Sequence, residues 1–235
     1  MSEKLQYRGY TIDVVRDDLV ENPRNWDNLG TLALSASSWA DETVACVEDL
    51  YALLLDDTDY MKWSNKDQMY SDYTYDHEKA QRCLDQKYIV LPVYKMDHGS
   101  VSFSTSTFNC PWDSGQDGFI YVSKERIREE YSVKKISKKI RDIVIKSLEQ
   151  EVGTFSMAVN GEVYAFCVLD DDDEALDSCC GFVGYDHDAS GLMDTVREFV
   201  DSMVQRDRRR KMNALKNLIN NHVPLIYRQD ILDVA

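Results

Sequence analysis

Asp97 to Val122 reads DHGSVSFSTSTFNCPWDSGQDGFIYV. The carboxylate–imidazole pair Asp97-His98 is followed by a thiol at Cys110, a second carboxylate at Asp113, a hydroxyl at Ser114 and an amide at Gln116. These types can build a hydrolase: Ser114 or Cys110 attacks, His98 takes the proton, and Asp97 or Asp113 orients the imidazole. The chain has only four histidines, at 77, 98, 187 and 222, so the choice of base is short. The strained nucleophile elbow G-x-S-x-G is missing from the stretch. A structural reading competes, in which Trp112 plugs a core, Asp113 and Ser114 bond backbone N–H groups, and Gly115 and Gly118 allow unusual φ. A ligand-binding reading makes Trp112, Asp113 and Gln116 contact residues.

The elements that must position this stretch follow from periodicity. Val101, Phe103, Thr105 and Thr107 alternate with small polar residues, predicting a strand before the crowded turn at 109–117, and Phe119 to Val122 predict another after it. Strands are also expected at Tyr10–Val15, Thr31–Ser35 and Tyr88–Met96, where Pro92 favours an edge or a bulge. Val44, Val47, Leu50, Tyr51 and Leu54 predict an amphipathic helix over 41–55, capped by Asp41 or Thr43. A short helix is expected near Lys79–Gln86. Ser123 should cap a helix over Lys124–Glu130, and a longer one is expected over Lys134–Glu151. Asn160-Gly161 suggests a type I′ turn joining strands at 153–159 and 162–169, with a third strand at Ser178–Tyr185. Ser190 should cap a helix whose apolar stripe runs from Leu192 to Met203, and a separate final helix is expected around Met212–Ile219 before Pro224. Strands clustered in hairpins with helices apart give an α+β class, a mainly antiparallel sheet packed by amphipathic helices. The chain is read as one domain, 1–235, with a Tyr/Asp-rich surface insert at 56–78 and a C-terminal helical extension at 206–235.

Charge narrows the function classes. Forty-two acidic residues against 27 basic ones give a net charge of −15, which favours basic partners and disfavours direct nucleic-acid binding by the chain as a whole. Two basic stretches, Lys124–Lys146 and Arg206–Lys211, are expected to pair internally or to lie on solvated helix faces, the alternative being a groove for an anionic partner. No apolar run suits a membrane span and the N-terminus lacks an apolar signal core, so a cytoplasmic protein with six reduced cysteines is expected. No C-x-x-C occurs, the run Asp170–Asp173 lacks the ligand spacing of a cation loop, and Asp186-His187-Asp188 has no spacing that demands a metal. No metal or cofactor is expected.

The blocks NWDNLG (25–30), residues 91–131 with their Pro-Trp-Asp-Ser-Gly-Gln-x-Gly-x-Ile-Tyr string, GEVYAF (161–166) and DSCCGFVGY (177–185) resemble a family of uncharacterised proteins carried by phages, plasmids and other bacterial mobile elements. The resemblance implies a small accessory protein in a bacterial host cell. It implies no reaction and no catalytic residues. Together with the acidic charge, it leads to an expected role as a binder of a host protein, such as a defence or restriction factor, at a surface built for nucleic acid. The contact residues expected for such mimicry are Asp56, Asp57, Asp59, Tyr60, Tyr70, Asp72, Tyr73, Tyr75 and Asp76, whose carboxylates can imitate phosphates while the tyrosines anchor. The alternative is a small hydrolase or nucleotide-handling enzyme using His98, Cys110, Asp113 and Ser114.

Overall fold

The computed structural model describes residues 3–55, 77–170 and 172–228. Nine strands and five α-helices are present among them, and all strand pairs but one are antiparallel. The class is α+β, as the periodicities predict. The sequence reading takes one domain; the fold divides into two compact units, residues 1–18 with 163–235, and residues 19–162.

The first unit is a four-stranded sheet in the order β1 (Glu3–Tyr7), β2 (Tyr10–Arg16), β8 (Val163–Leu169), β9 (Ala175–Val183). Strand β1 was not foreseen. It is joined to β2 by Arg8-Gly9, both at positive φ (50° and 90°), as a two-residue hairpin turn requires. Ile12, Val14, Phe166 and Val168 alternate along β2 and β8 and are buried against Leu192, Val196 and Val200, spaced four residues apart on helix α5 (Leu192–Asn220). The two helices expected at this end are one helix of 29 residues. Nothing between 192 and 220 is glycine or proline, and the Arg/Lys run is made of good helix formers, so no break occurs. The helix is capped by Gly191 in the left-handed region, not by Ser190.

The second unit is a five-stranded sheet in the order β4 (Glu42–Thr43), β3 (Thr31–Leu34), β7 (Ser114–Ser123), β5 (Tyr88–Asp97), β6 (Val101–Ser104). Strand β7 is central and both its faces are covered. Ile120 and Val122 face Val144, Leu148, Val152 and Phe155 of helix α4 (Lys138–Val159). Phe119 and Tyr121 face the layer containing Leu50 and Tyr51 of α1 (Val47–Leu54) and Ala80 and Leu84 of α2 (His77–Lys87). Burial, and then the Glu42 carboxylate, push the Tyr121 phenol up to about 12. At Gly118 the neighbouring strand is so close that a Cβ would lie 2.0 Å from the Ala33 carbonyl oxygen. The register shift between Val93 and Tyr94 falls beside Pro92, where an irregularity was expected. Ser123 caps α3 (Lys124–Glu130), accepting from the Arg126 N–H at 3.1 Å.

Two expectations fail for instructive reasons. Residues 153–159 are not a strand. The Val144, Leu148, Val152, Phe155 spacing carries α4 on to Val159, and Asn160-Gly161 ends it. Gly161 sits at φ 67°, its N–H reaching the Ala158 carbonyl, while the Glu162 N–H reaches that of Met157, which is the Schellman closure of a helix. Asn-Gly serves this end as well as it serves a hairpin, because both need a left-handed residue. Helix α1 likewise begins at Val47, with Asp49 accepting from the N–H groups of Ala45 and Cys46. Asp41 and Thr43 do not cap it: Thr43 lies in β4 and Asp41 is taken by a buried arginine.

Candidate functional site

The stretch at 97–117 forms a corner between the β5–β6 hairpin and β7. Strand β7 begins at Ser114, so Ser114, Gly115 and Gln116 belong to a strand that pairs with Met96, Lys95 and Tyr94, and not to a turn. The Asp97 N–H donates to the Asp113 carbonyl at 2.9 Å. The Asp113 Oδ2 lies 3.0 Å from His98 Nδ1 and accepts from the Cys110 Sγ at 3.3 Å. The Ser114 hydroxyl donates to the Cys110 carbonyl at 2.6 Å. His98, Cys110, Asp113 and Ser114, spread over the sequence, are therefore brought together.

They are not arranged as a catalytic triad. A triad places imidazole between nucleophile and carboxylate, whereas here the carboxylate sits between thiol and imidazole. The Ser114 proton is committed to the Cys110 backbone carbonyl in the turn before its strand. Gln116 is exposed and its amide makes one long bond, 3.4 Å, to the Gly118 carbonyl. Trp112 does not plug a core: it is 93% exposed. With Lys95, Asp97, Asp113 and Asp117 it borders an open depression of about 380 Å³. The acidic and tyrosine contact residues expected at Asp56, Asp57, Asp59, Tyr60, Tyr70, Asp72, Tyr73, Tyr75 and Asp76 lie outside the described residues.

The block NWDNLG forms a second tryptophan corner. Trp26-Asp27, in NWDNLG, precedes β3 as Trp112-Asp113 precedes β7. Here the holding group is Arg24, whose side chain is only 4% exposed. Its Nε and Nη2 donate to Asp41 Oδ2 at 3.0 and 2.7 Å, Nη1 to Glu151 at 2.9 Å, and Nη2 also to the Gly30 carbonyl. The carboxylates are used further: Glu151 accepts from the N–H groups of Leu29 and Gly30, and Asp41 from that of Leu32. A buried arginine with two carboxylate partners that also accept from backbone N–H groups is a structural lock. The sequence signal was Arg24 as the single basic residue between Arg16 and Lys62, legible only once Asp41 and Glu151 are near it.

The first unit holds a cavity of about 710 Å³, with Arg8, Arg206 and Arg210 on its walls beside Tyr10 and Phe199. Two of these arginines, Arg206 and Arg210, come from the basic stretch of α5, in line with the groove-lining alternative. The six cysteines are all unpaired, and burial followed by the Asp13 and Asp177 carboxylates raises the Cys167 thiol, leaving it a poor nucleophile. His187 lies 3.4 Å from Glu3. Among the described residues no group of three His, Cys, Asp or Glu is placed to hold a metal ion, and no helix is long and apolar enough to cross a membrane.

Against this geometry, comparison with protein-family models, with curated proteins and with solved structures finds no match for the chain.

Proposed function

We propose that the protein is a binding module, made in a bacterial cell by a phage or other mobile element, that docks on the basic nucleic-acid-binding surface of a host protein such as a defence or restriction factor. The observation that carries this reading is Trp112, 93% exposed on a corner whose backbone is already tied down. A large indole left in water costs burial that a partner recovers, and a corner fixed beforehand loses little freedom on docking. Around it stand Asp97, Asp113 and Asp117 against the single cation Lys95, a charge pattern that selects a basic partner. The Tyr/Asp-rich tract 56–78 extends the same chemistry in sequence. The absence of a nucleophile–base pair at this corner weighs against the hydrolase alternative.

The test is capture of host proteins on immobilised full chain, wild type and Trp112→Ala, at low and high salt, with duplex DNA as competitor. A nucleic-acid-binding protein held at low salt, released at high salt, displaced by DNA and lost with Trp112→Ala is expected. Identical capture by both chains, or capture that DNA does not disturb, would overturn the reading.

A further inference from the structure

We propose that the second half of α5, with the cavity at its base, binds single-stranded nucleic acid, the helix following the phosphates and the cavity admitting one base. The inference rests on the first unit alone and stands whether or not the Trp112 corner binds a protein.

Charge and exposure point to it together. From Arg206 to Lys216, α5 carries six basic side chains against one carboxylate. All nine residues from Gln205 to Asn213 are exposed, so every face of the helix is open to solvent for about 13 Å. Of the two outcomes expected for this run, a solvated helix face and not internal pairing is the one found. Among the described residues, Arg208, Arg209, Arg210 and Lys211 make no ion pair or side-chain hydrogen bond. Nor does the helix dipole account for them, since its effect is confined to the last turn and the cluster lies well before Asn220. Four of the six cations are arginines, whose planar forks match phosphate oxygens.

The cavity specifies what kind of nucleic acid. Arg206 and Arg210, one turn apart, share its wall with Arg8 from the β1–β2 turn. Arg8 is pre-set: its Nε bonds Asp201 at 3.1 Å, its guanidinium lies 5.7 Å from the Tyr7 ring centroid, and the Tyr7 hydroxyl bonds the same Asp201. Tyr10 and Phe199 offer aromatic surface in the same cavity, and Asp170, Asp177 and Asp207 offer acceptors that balance its three arginines. Phosphate alone would not call for those carboxylates; the exocyclic amino group of a base does. A base can enter only when unstacked, which selects a single strand over a duplex. The net charge of −15 does not forbid this, because at physiological salt charges beyond about 8 Å are largely screened.

Fluorescence anisotropy with the full chain and a labelled mixed-sequence single strand tests it, with a duplex of equal length and phosphatidylserine vesicles as comparators. Single-strand affinity should fall about tenfold or more between about 50 and 200 mM salt. It should fall at least about tenfold in Arg208→Ala/Arg209→Ala/Lys211→Ala, and clearly in Arg206→Ala/Arg210→Ala. Alanine preserves helix propensity, and far-UV circular dichroism checks that α5 persists. Absence of binding at low salt, equal affinity for the duplex, unchanged binding by both variants, or binding to vesicles in place of nucleic acid would each overturn the inference.

Discussion

The second unit contains two Trp-Asp corners, and they are held in opposite ways. Strands β3 and β7 run antiparallel, with Thr31 opposite Tyr121 and Leu34 opposite Gly118, so the corner at 26–27 and the corner at 112–113 lie toward opposite ends of this strand pair. At the first, buried Arg24 clamps Asp41 and Glu151, and Trp26 is 42% exposed. At the second, Asp113 meets His98 at the surface, the two side chains being 36% and 79% exposed, and Trp112 projects almost wholly into water. The neighbourhood of the dipeptide is thus fastened by Arg24 in one place, while in the other the dipeptide itself presents an indole. What separates them is burial of the polar partner: a desolvated arginine binds the scaffold, while a solvated imidazole leaves stability elsewhere and frees the indole for a ligand.

The comparison breaks most easily at Arg24. Arg24→Ala leaves two carboxylates without their cation and should cost on the order of 3–5 kcal/mol, read as a lower urea midpoint. A loss under about 1 kcal/mol would place this corner in the same weakly held class as the other. Next comes the strand pair linking them. Tyr121 stays protonated in the fold up to about 12, above the usual phenol value near 10. A raised folded value means that its contribution is intact below the unfolded value and is lost as pH climbs toward the folded one, so thermal stability should fall between about pH 10 and 12. In Tyr121→Phe that alkaline slope should be shallower; an unchanged slope would show that other groups set it. Asp113→Asn should cost no more than about 1 kcal/mol, because the pair it breaks is solvated. Smallest of all, Trp112→Ala should move the unfolding midpoint by an amount equivalent to about 0.5 kcal/mol or less, while abolishing partner capture. A large stability loss there would make Trp112 a packing residue after all.

Much of the fold was legible. Short runs rich in apolar residues placed β2, β3, β5 and β9, spacing placed α1 and the start of α5, and Ser123 marked the start of α3, because these signals are local to the element they describe. The misses share another cause. Asn160-Gly161 announces a left-handed residue without saying whether a helix or a hairpin needs it. Asp41 advertises a cap, yet an arginine distant in sequence binds it more strongly. The candidate corner was legible as a group of residue types, but not as an order of contacts: Asp113 between Cys110 and His98, with Trp112 turned outward, depends on the pairing of β5 with β7.

By itself the sequence determined the secondary-structure class, the acidic charge and the places where polar side chains crowd, since composition and short-range periodicity suffice for each. Only the tertiary structure decided which carboxylate meets which cation, which tryptophan stays in water, and that, among the described residues, Arg208, Arg209 and Arg210 of α5 go unpaired while Arg197 pairs with Asp188 and Asp194. Those outcomes rest on contacts between residues far apart along the chain, whose energies depend on burial, and burial is a property that no single segment possesses before the chain has folded.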